Sequence, residues 1–98
     1  MKAWKADALP RYNRRRKKLP PAVKRILNDE QRKVLADPYR GERKKGALAD
    51  IWVVKFKTHN DQFLLAYAID EEAEMITFWD IGQHENFYRD LEQYTKGR

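Results

Sequence analysis

The sequence predicts an α+β fold: a twisted antiparallel sheet of about four strands, an N-terminal helical hairpin on one face and a short C-terminal helix near the other. Two helix-periodic segments lie within residues 8–36, three runs rich in β-branched and aromatic residues follow within 51–82, and a final helical stripe occupies the C-terminal end. The strand-like runs are joined by short polar links, which means antiparallel neighbours, because a parallel connection needs a dozen or more residues. At 98 residues the chain has room for one domain, residues 1–98, and one core.

The first element, "MKAWKAD", places Lys2, Trp4 and Ala6 in alternation with Ala3 and Lys5, as a short edge strand does. From Ala8 to Lys18, Leu9, Tyr12 and Arg16 share one side of a helix, and Arg11, Arg14, Arg15, Arg16, Lys17 and Lys18 dominate the rest. Pro10 suits a first turn, and Leu19-Pro20-Pro21 ends this helix and starts another. In the second, Ala22 to Ala36, the residues Val23, Ile26, Leu27, Val34 and Leu35 recur at helical spacing until Asp37-Pro38 stops it. Residues 37–50, with Gly41 and Gly46 among four cations, read as a loop. "IWVVKFK" (51–57), "QFLLAYAID" (62–70) and "EMITFWDIG" (74–82) are the strands, and Phe87, Leu91 and Tyr94 mark the buried stripe of a helix from Glu85 to about Lys96.

Charge is unevenly spread. Residues 1–57 carry 18 Lys/Arg against 6 Asp/Glu, a net +12, and residues 58–98 carry 3 against 9, a net −6. A basic face follows, and its commonest polyanionic partner is nucleic acid, although many small domains are basic merely for solubility. The absence of cysteine excludes disulfides and thiolate metal sites, and two histidines with scattered carboxylates make a poor zinc site, so neither metal nor cofactor is expected. No apolar run has the length of a signal peptide or a membrane span, which makes a cytoplasmic protein the expectation.

Two constellations could carry chemistry. On "IWVVKFK", Trp52, Val54 and Phe56 point one way while Val53, Lys55 and Lys57 point the other, so two ammonium groups stand side by side on one sheet face. They repel each other unless an anion lies between them; the plainer reading is a solvated face. The second is His84 with Tyr88, four residues apart on one helix face at the helix start. The positive potential there favours a neutral, proton-accepting imidazole; the plainer reading is a capping residue followed by an exposed ring. His59 falls in a polar turn and reads as exposed. Whether His84 reaches the Lys55/Lys57 face depends on strand order, which periodicity leaves open. If it does, two lysines, a histidine, a tyrosine and Arg89 form a pocket suited to metal-free attack on a phosphodiester. A base removes the 2′-hydroxyl proton, cations hold the phosphate, and an acid protonates the departing 5′-oxygen. DNA lacks that hydroxyl, so the substrate would be RNA.

The "LP" between two basic helices, the "DPYRGERKKGAL" loop, "WVVKF", "FLLAYAID" and "IGQHENFYRDL", in this order, resemble the RelE/ParE superfamily of toxins from bacterial type II toxin–antitoxin modules. The resemblance implies a RelE/ParE-like fold and, on its RelE-like branch, a ribosome-dependent mRNA endonuclease that works in the A site. It also implies a protein that is monomeric when free and held inactive in a hetero-oligomer with a cognate antitoxin. By the same resemblance, Lys55 and Lys57 match strand lysines acting on the scissile phosphate and 2′-hydroxyl. His84 matches an arginine or histidine at the cleaved bond, and Tyr88, or Phe87 by a shift of register, a ring that orients the base. Where some relatives carry a middle-strand arginine, this chain has Leu64, so that phosphate contact is either absent or supplied elsewhere, by Arg43, Lys44 or Lys45. Arg14, Arg15, Arg16, Lys17 and Lys18, with Arg43, Lys44, Lys45 and Arg89, are the expected phosphate contacts to messenger and ribosomal RNA. Trp4, Tyr12 and Trp79 are candidates for receiving the antitoxin. The ParE-like branch, a DNA gyrase inhibitor without nuclease chemistry, and a non-catalytic basic RNA-binding module are the alternatives.

Overall fold

The computed structural model describes residues 3–83 and 87–96. Five strands form one sheet in the order β1-β5-β4-β3-β2. They are β1 (Lys5–Ala8), β2 (Glu42–Arg43), β3 (Ile51–Lys57), β4 (Gln62–Asp70) and β5 (Met75–Gln83). Three α-helices accompany them: α1 (Pro10–Lys17), α2 (Pro21–Ala36) and α3 (Phe87–Lys96).

The prolines set the helix starts. Pro10 and Pro21 each occupy a first helical position, where a missing N–H costs nothing and the fixed φ is already helical. Before Pro38, Asp37 leaves helical geometry, and its carboxylate accepts the backbone N–H of Tyr39 at 3.3 Å, opening a single 3₁₀ turn at Pro38–Arg40. β3 and β4 pair antiparallel from Ile51↔Ala68 to Lys57↔Gln62, and β4 pairs antiparallel with β5.

The alternation read from "IWVVKFK" holds. Trp52, Val54 and Phe56 pack toward α1 and α2 with Tyr12, Leu27, Val34, Phe63, Leu65, Tyr67, Ile76 and Phe78. On the opposite face Ile51, Val53, Leu64 and Ala66 meet Phe87 and Leu91 of α3. Each fully buried Leu or Phe contributes about 1.5–3 kcal/mol of transfer free energy. The sheet is thus covered on both sides, by the helical pair on one and α3 on the other. A β-bulge sets two residues of β5 against one step of β4: Tyr67 pairs with Phe78 and Ala66 with Asp80, so Trp79 has no partner in the register. This extra residue shifts the alternation, and Ile81 rather than Asp80 rejoins the helix-facing core.

The sheet differs from the expected one in two ways. β1 pairs with β5 in parallel, from Lys5↔Met75 to Ala8↔Phe78, so the sheet is mixed, and the two-residue β2 lies inside the segment read as loop. Hydrophobic period could reveal neither, because a two-residue strand has no period and a parallel edge pairing is specified only by the far end of the chain. Tyr12, expected to be available to a partner, is buried at 2%, stacks on Phe78 at 5.5 Å and donates its hydroxyl hydrogen bond to Gln31. Its burial pushes the phenol pKa well above the ordinary range. Among the described residues, no helix is long and apolar enough to cross a membrane.

Candidate nucleic-acid and active site

Lys55 and Lys57 are both exposed on the α3 side of β3, as alternation requires. Lys55 pairs across to Leu64, and Leu64 to Gly82, so a single row runs from β3 through β4 to the end of β5. Two strand spacings put Gly82 about 10 Å from Lys55. His84 lies outside the described residues. Leu64, at the position where a phosphate-contacting arginine was considered, is fully buried beneath α3.

Tyr88, in the first turn of α3, is brought to the Lys55 end of the sheet. Both line one cavity of about 320 Å³, together with Glu30, Arg40, Gly41, Glu42, Val53 and Val54. Phe87, the alternative ring, is 2% exposed and packs edge-on against Tyr88 at 5.6 Å, so it belongs to the core and Tyr88 alone of the two faces the cavity. Lys57 is one pleat further along β3 and is not part of the cavity wall.

β2 supplies what sequence reasoning missed. Its Glu42 sits opposite Val53, and just beyond it the Lys44 backbone N–H donates to the Ile51 carbonyl at 2.9 Å. That pairing carries the Lys44 ammonium over the Tyr88 ring, 4.7 Å from its centroid, while the same ammonium donates to the Glu42 carboxylate at 3.0 Å. Partial burial disfavours the Lys44 charge, but the bonds to Glu42 and Tyr88 outweigh it and hold its pKa above the ordinary lysine value. The Lys44 hydrogen bond, with the positive charges of Lys44 and Lys55, keeps the Glu42 carboxyl below its own ordinary value. The cavity is therefore bordered by three cations, Arg40, Lys44 and Lys55, by the carboxylates of Glu30 and Glu42, and by one phenol ring. The detectable signal was Gly41: a Cβ there would sit 2.6 Å from the Tyr67 hydroxyl and 3.1 Å from the Val53 carbonyl, so only glycine lets this segment close on β3.

The basic run divides by role. Asp80 is fully buried on β5, and a buried carboxylate must be paired: the Arg11 guanidinium reaches it at 3.2 Å and that of Arg15 at 3.0 Å. Arg15 also approaches Asp90 of α3 at 4.0 Å, Arg11 lies 4.7 Å over the Tyr94 ring, and Arg16 donates to Asn28. These arginines tie α1 to the sheet, to α2 and to α3. Arg14 and Lys17 on α1 and Lys18 just past it are exposed, as are Lys45 and Arg89 elsewhere. Arg43 pairs with Asp50 at 2.8 Å. His59 is exposed in the β3–β4 turn, as expected.

A family model described as the ParE-like toxin of type II bacterial toxin–antitoxin systems matches residues 7–92. No curated protein matches the chain in sequence. Among solved structures, a free-state mutant of the E. coli RelE toxin superposes with a TM-score of 0.76 at 20% identity, over 96% of this chain and 97% of that one. A chain of the intact E. coli RelBE toxin–antitoxin complex gives 0.70 at 23% identity, covering 85% and 99%. One from the RelBE2 toxin–antitoxin complex of Mycobacterium tuberculosis gives 0.76 at 20% identity, covering 86% and 94%. At such identities the likeness is one of fold. With the family pattern spanning nearly every element from β1 to α3, the chain belongs to the ParE-like toxins of type II bacterial toxin–antitoxin systems, within the RelE/ParE superfamily.

Proposed function

We propose that this toxin is a metal-independent, ribosome-dependent endoribonuclease that cleaves messenger RNA and is neutralised by a cognate antitoxin. The observation that carries the reading is the convergence of Lys55 and Tyr88 on one cavity with the Lys44 ammonium seated over the ring. In this reading Lys55 and Lys57 hold the scissile phosphate. The 2′-oxygen, relieved of its proton, attacks phosphorus; the bond to the 5′-oxygen breaks, and that oxygen takes a proton as it leaves. His84 is assigned to this proton traffic by its place in the sequence. Tyr88 orients the base, and Lys44 adds positive charge where negative charge builds in the transition state. Ground for RNA on the ribosome is offered by the exposed Arg14, Lys17, Lys18, Lys45 and Arg89. Arg15, Arg16 and Arg43, bound to protein partners, serve mainly to shape that surface.

A second reading, inhibition of DNA gyrase without nuclease chemistry, is favoured by the ParE-like description of the matching family. The two separate in one experiment. Purified toxin is added to translating ribosomes and message ends are mapped by primer extension, with gyrase supercoiling assayed in parallel. New message ends that vanish with the Lys55→Ala/Lys57→Ala variant support the nuclease. Intact messages with blocked supercoiling would replace it by the second reading.

A further inference from the structure

An aromatic cavity lies on the other face of the sheet, toward the opposite end of β3 from Lys57, and the reading above leaves it unused. Tyr39, on the 3₁₀ turn after α2, meets Trp52 of β3 edge-on at 5.7 Å and 77°, and meets Trp4 at 6.3 Å and 76°. The space beside them, about 420 Å³, is closed by Ile69 and rimmed by Arg43, Asp50 and Glu71. Tyr39 is 47% exposed, the one large apolar side chain among the described residues to stand so far into solvent. Its hydroxyl donates to the Glu71 carboxylate at 2.6 Å, which fixes the ring as a wall. Glu71 belongs to an exposed turn that also bears Asp70, Glu72 and Glu74, in a chain whose net charge is +6. Asp50 holds a left-handed backbone, φ 72°, and accepts from the Arg43 guanidinium at 2.8 Å.

We propose that this cavity docks a cationic segment of a partner protein, seating an arginine or lysine side chain against the Tyr39 and Trp52 rings with its charge toward Glu71 and Asp50. Ring faces carry negative quadrupole and attract cations, and two rings set nearly perpendicular make two walls for one aliphatic stem and its charged head. Charge complementarity selects the occupant. A phosphate backbone would be repelled by the carboxylates of the turn, whereas a basic peptide gains from them. Arg43 already neutralises Asp50 at the rim, so the attraction for a cation comes mainly from Glu71 and the acidic turn that bears it. This docking site is independent of the nuclease reading, since none of its residues belongs to the lysine cavity.

The test titrates the full chain with the acetylated, amidated peptide Gly-Arg-Gly-Arg-Gly, with the same peptide carrying citrulline for arginine, and with a glutamate version. Tryptophan fluorescence and backbone amide shifts are the readouts. The expected result is saturable, salt-sensitive binding of the arginine peptide alone, with shifts centred on residues 39, 52 and 69. Tyr39→Ala and the isosteric Glu71→Gln should each weaken it at least about fivefold. Glu71→Gln decides the matter if Tyr39→Ala melts early. Equal binding of the citrulline peptide, undiminished binding by Glu71→Gln, or shifts centred elsewhere would overturn the proposal. So would concentration-dependent self-association that Glu71→Gln abolishes, because the occupant would then be a second copy of this chain.

Discussion

Lys55 and Lys57 owe their place to simple alternation on one strand, and both are solvent-exposed, so removing either charge leaves the core intact. Each single Lys→Ala change should lower message cleavage by about 10²–10³-fold, as loss of one transition-state charge contact does. Circular dichroism and the melting temperature should stay unchanged. Gly41→Ala predicts the reverse pattern. Its Cβ would press on the Tyr67 hydroxyl, which donates to the Pro38 carbonyl at 2.6 Å, and on β3 backbone. The clash should cost about 1–3 kcal/mol, read as a lower urea midpoint. The Glu42–Lys44 pair makes a pH prediction with a definite sign. The lowered Glu42 pKa adds stability above its ordinary value of 4.5, lost as pH falls through the folded value. The raised Lys44 pKa adds stability below 10.5, lost as pH rises through its folded value. The melting difference between the native chain and Lys44→Met should therefore stay flat between those limits and shrink at both ends. The spacing that singled out Tyr88 rests on His84, which lies outside the described residues, but the shared outer face of Lys55 and Lys57 was legible in the sequence because strand period announces it. The Glu42–Lys44–Tyr88 arrangement was not, because it depends on a two-residue strand whose only mark is one crowded glycine.

At the level of elements, α1 proves to be two things at once. Three of its arginines reach inward, to Asp80, Asp90, Tyr94 and Asn28, and the rest of its cations face water. A helical wheel cannot make that division, since the partner that claims Arg11 and Arg15 is a buried carboxylate beside a bulge 65 and more residues away. Asp80→Asn should therefore destabilise the protein by about 2–4 kcal/mol, below the worst case for a broken buried pair because both arginines can still reach solvent. A thermal melt reads it directly. The starts of α1 and α2, by contrast, were written in the prolines, although the segment read as helical from Ala8 to Lys18 is trimmed to Pro10–Lys17, with Ala8 in β1 and Leu9 just before the helix.

The whole molecule joins a sheet covered on both faces to a strongly uneven charge distribution. If Arg14, Lys17, Lys18, Lys45 and Arg89 are the grip on RNA, affinity for a single-stranded polyanion should fall with log salt at a slope of about −3 to −4. Reversing Arg14, Lys17 and Lys18 to glutamate should flatten that slope without altering the fold, as filter binding across a salt series will show. The fold class was readable because hydrophobic period specifies which residues are inside. The parallel edge was not, because pairing between the two ends of a chain leaves no local trace. That edge carries a temporal consequence. β1 finds its hydrogen-bonding partner in β5, Lys5 beside Met75 and Ala8 beside Phe78, so the sheet stays incomplete until the chain as far as Phe78 has been translated and has cleared the exit tunnel. A toxin wired in this order is born unfinished: its first strand emerges early and must wait for its last before the sheet can close.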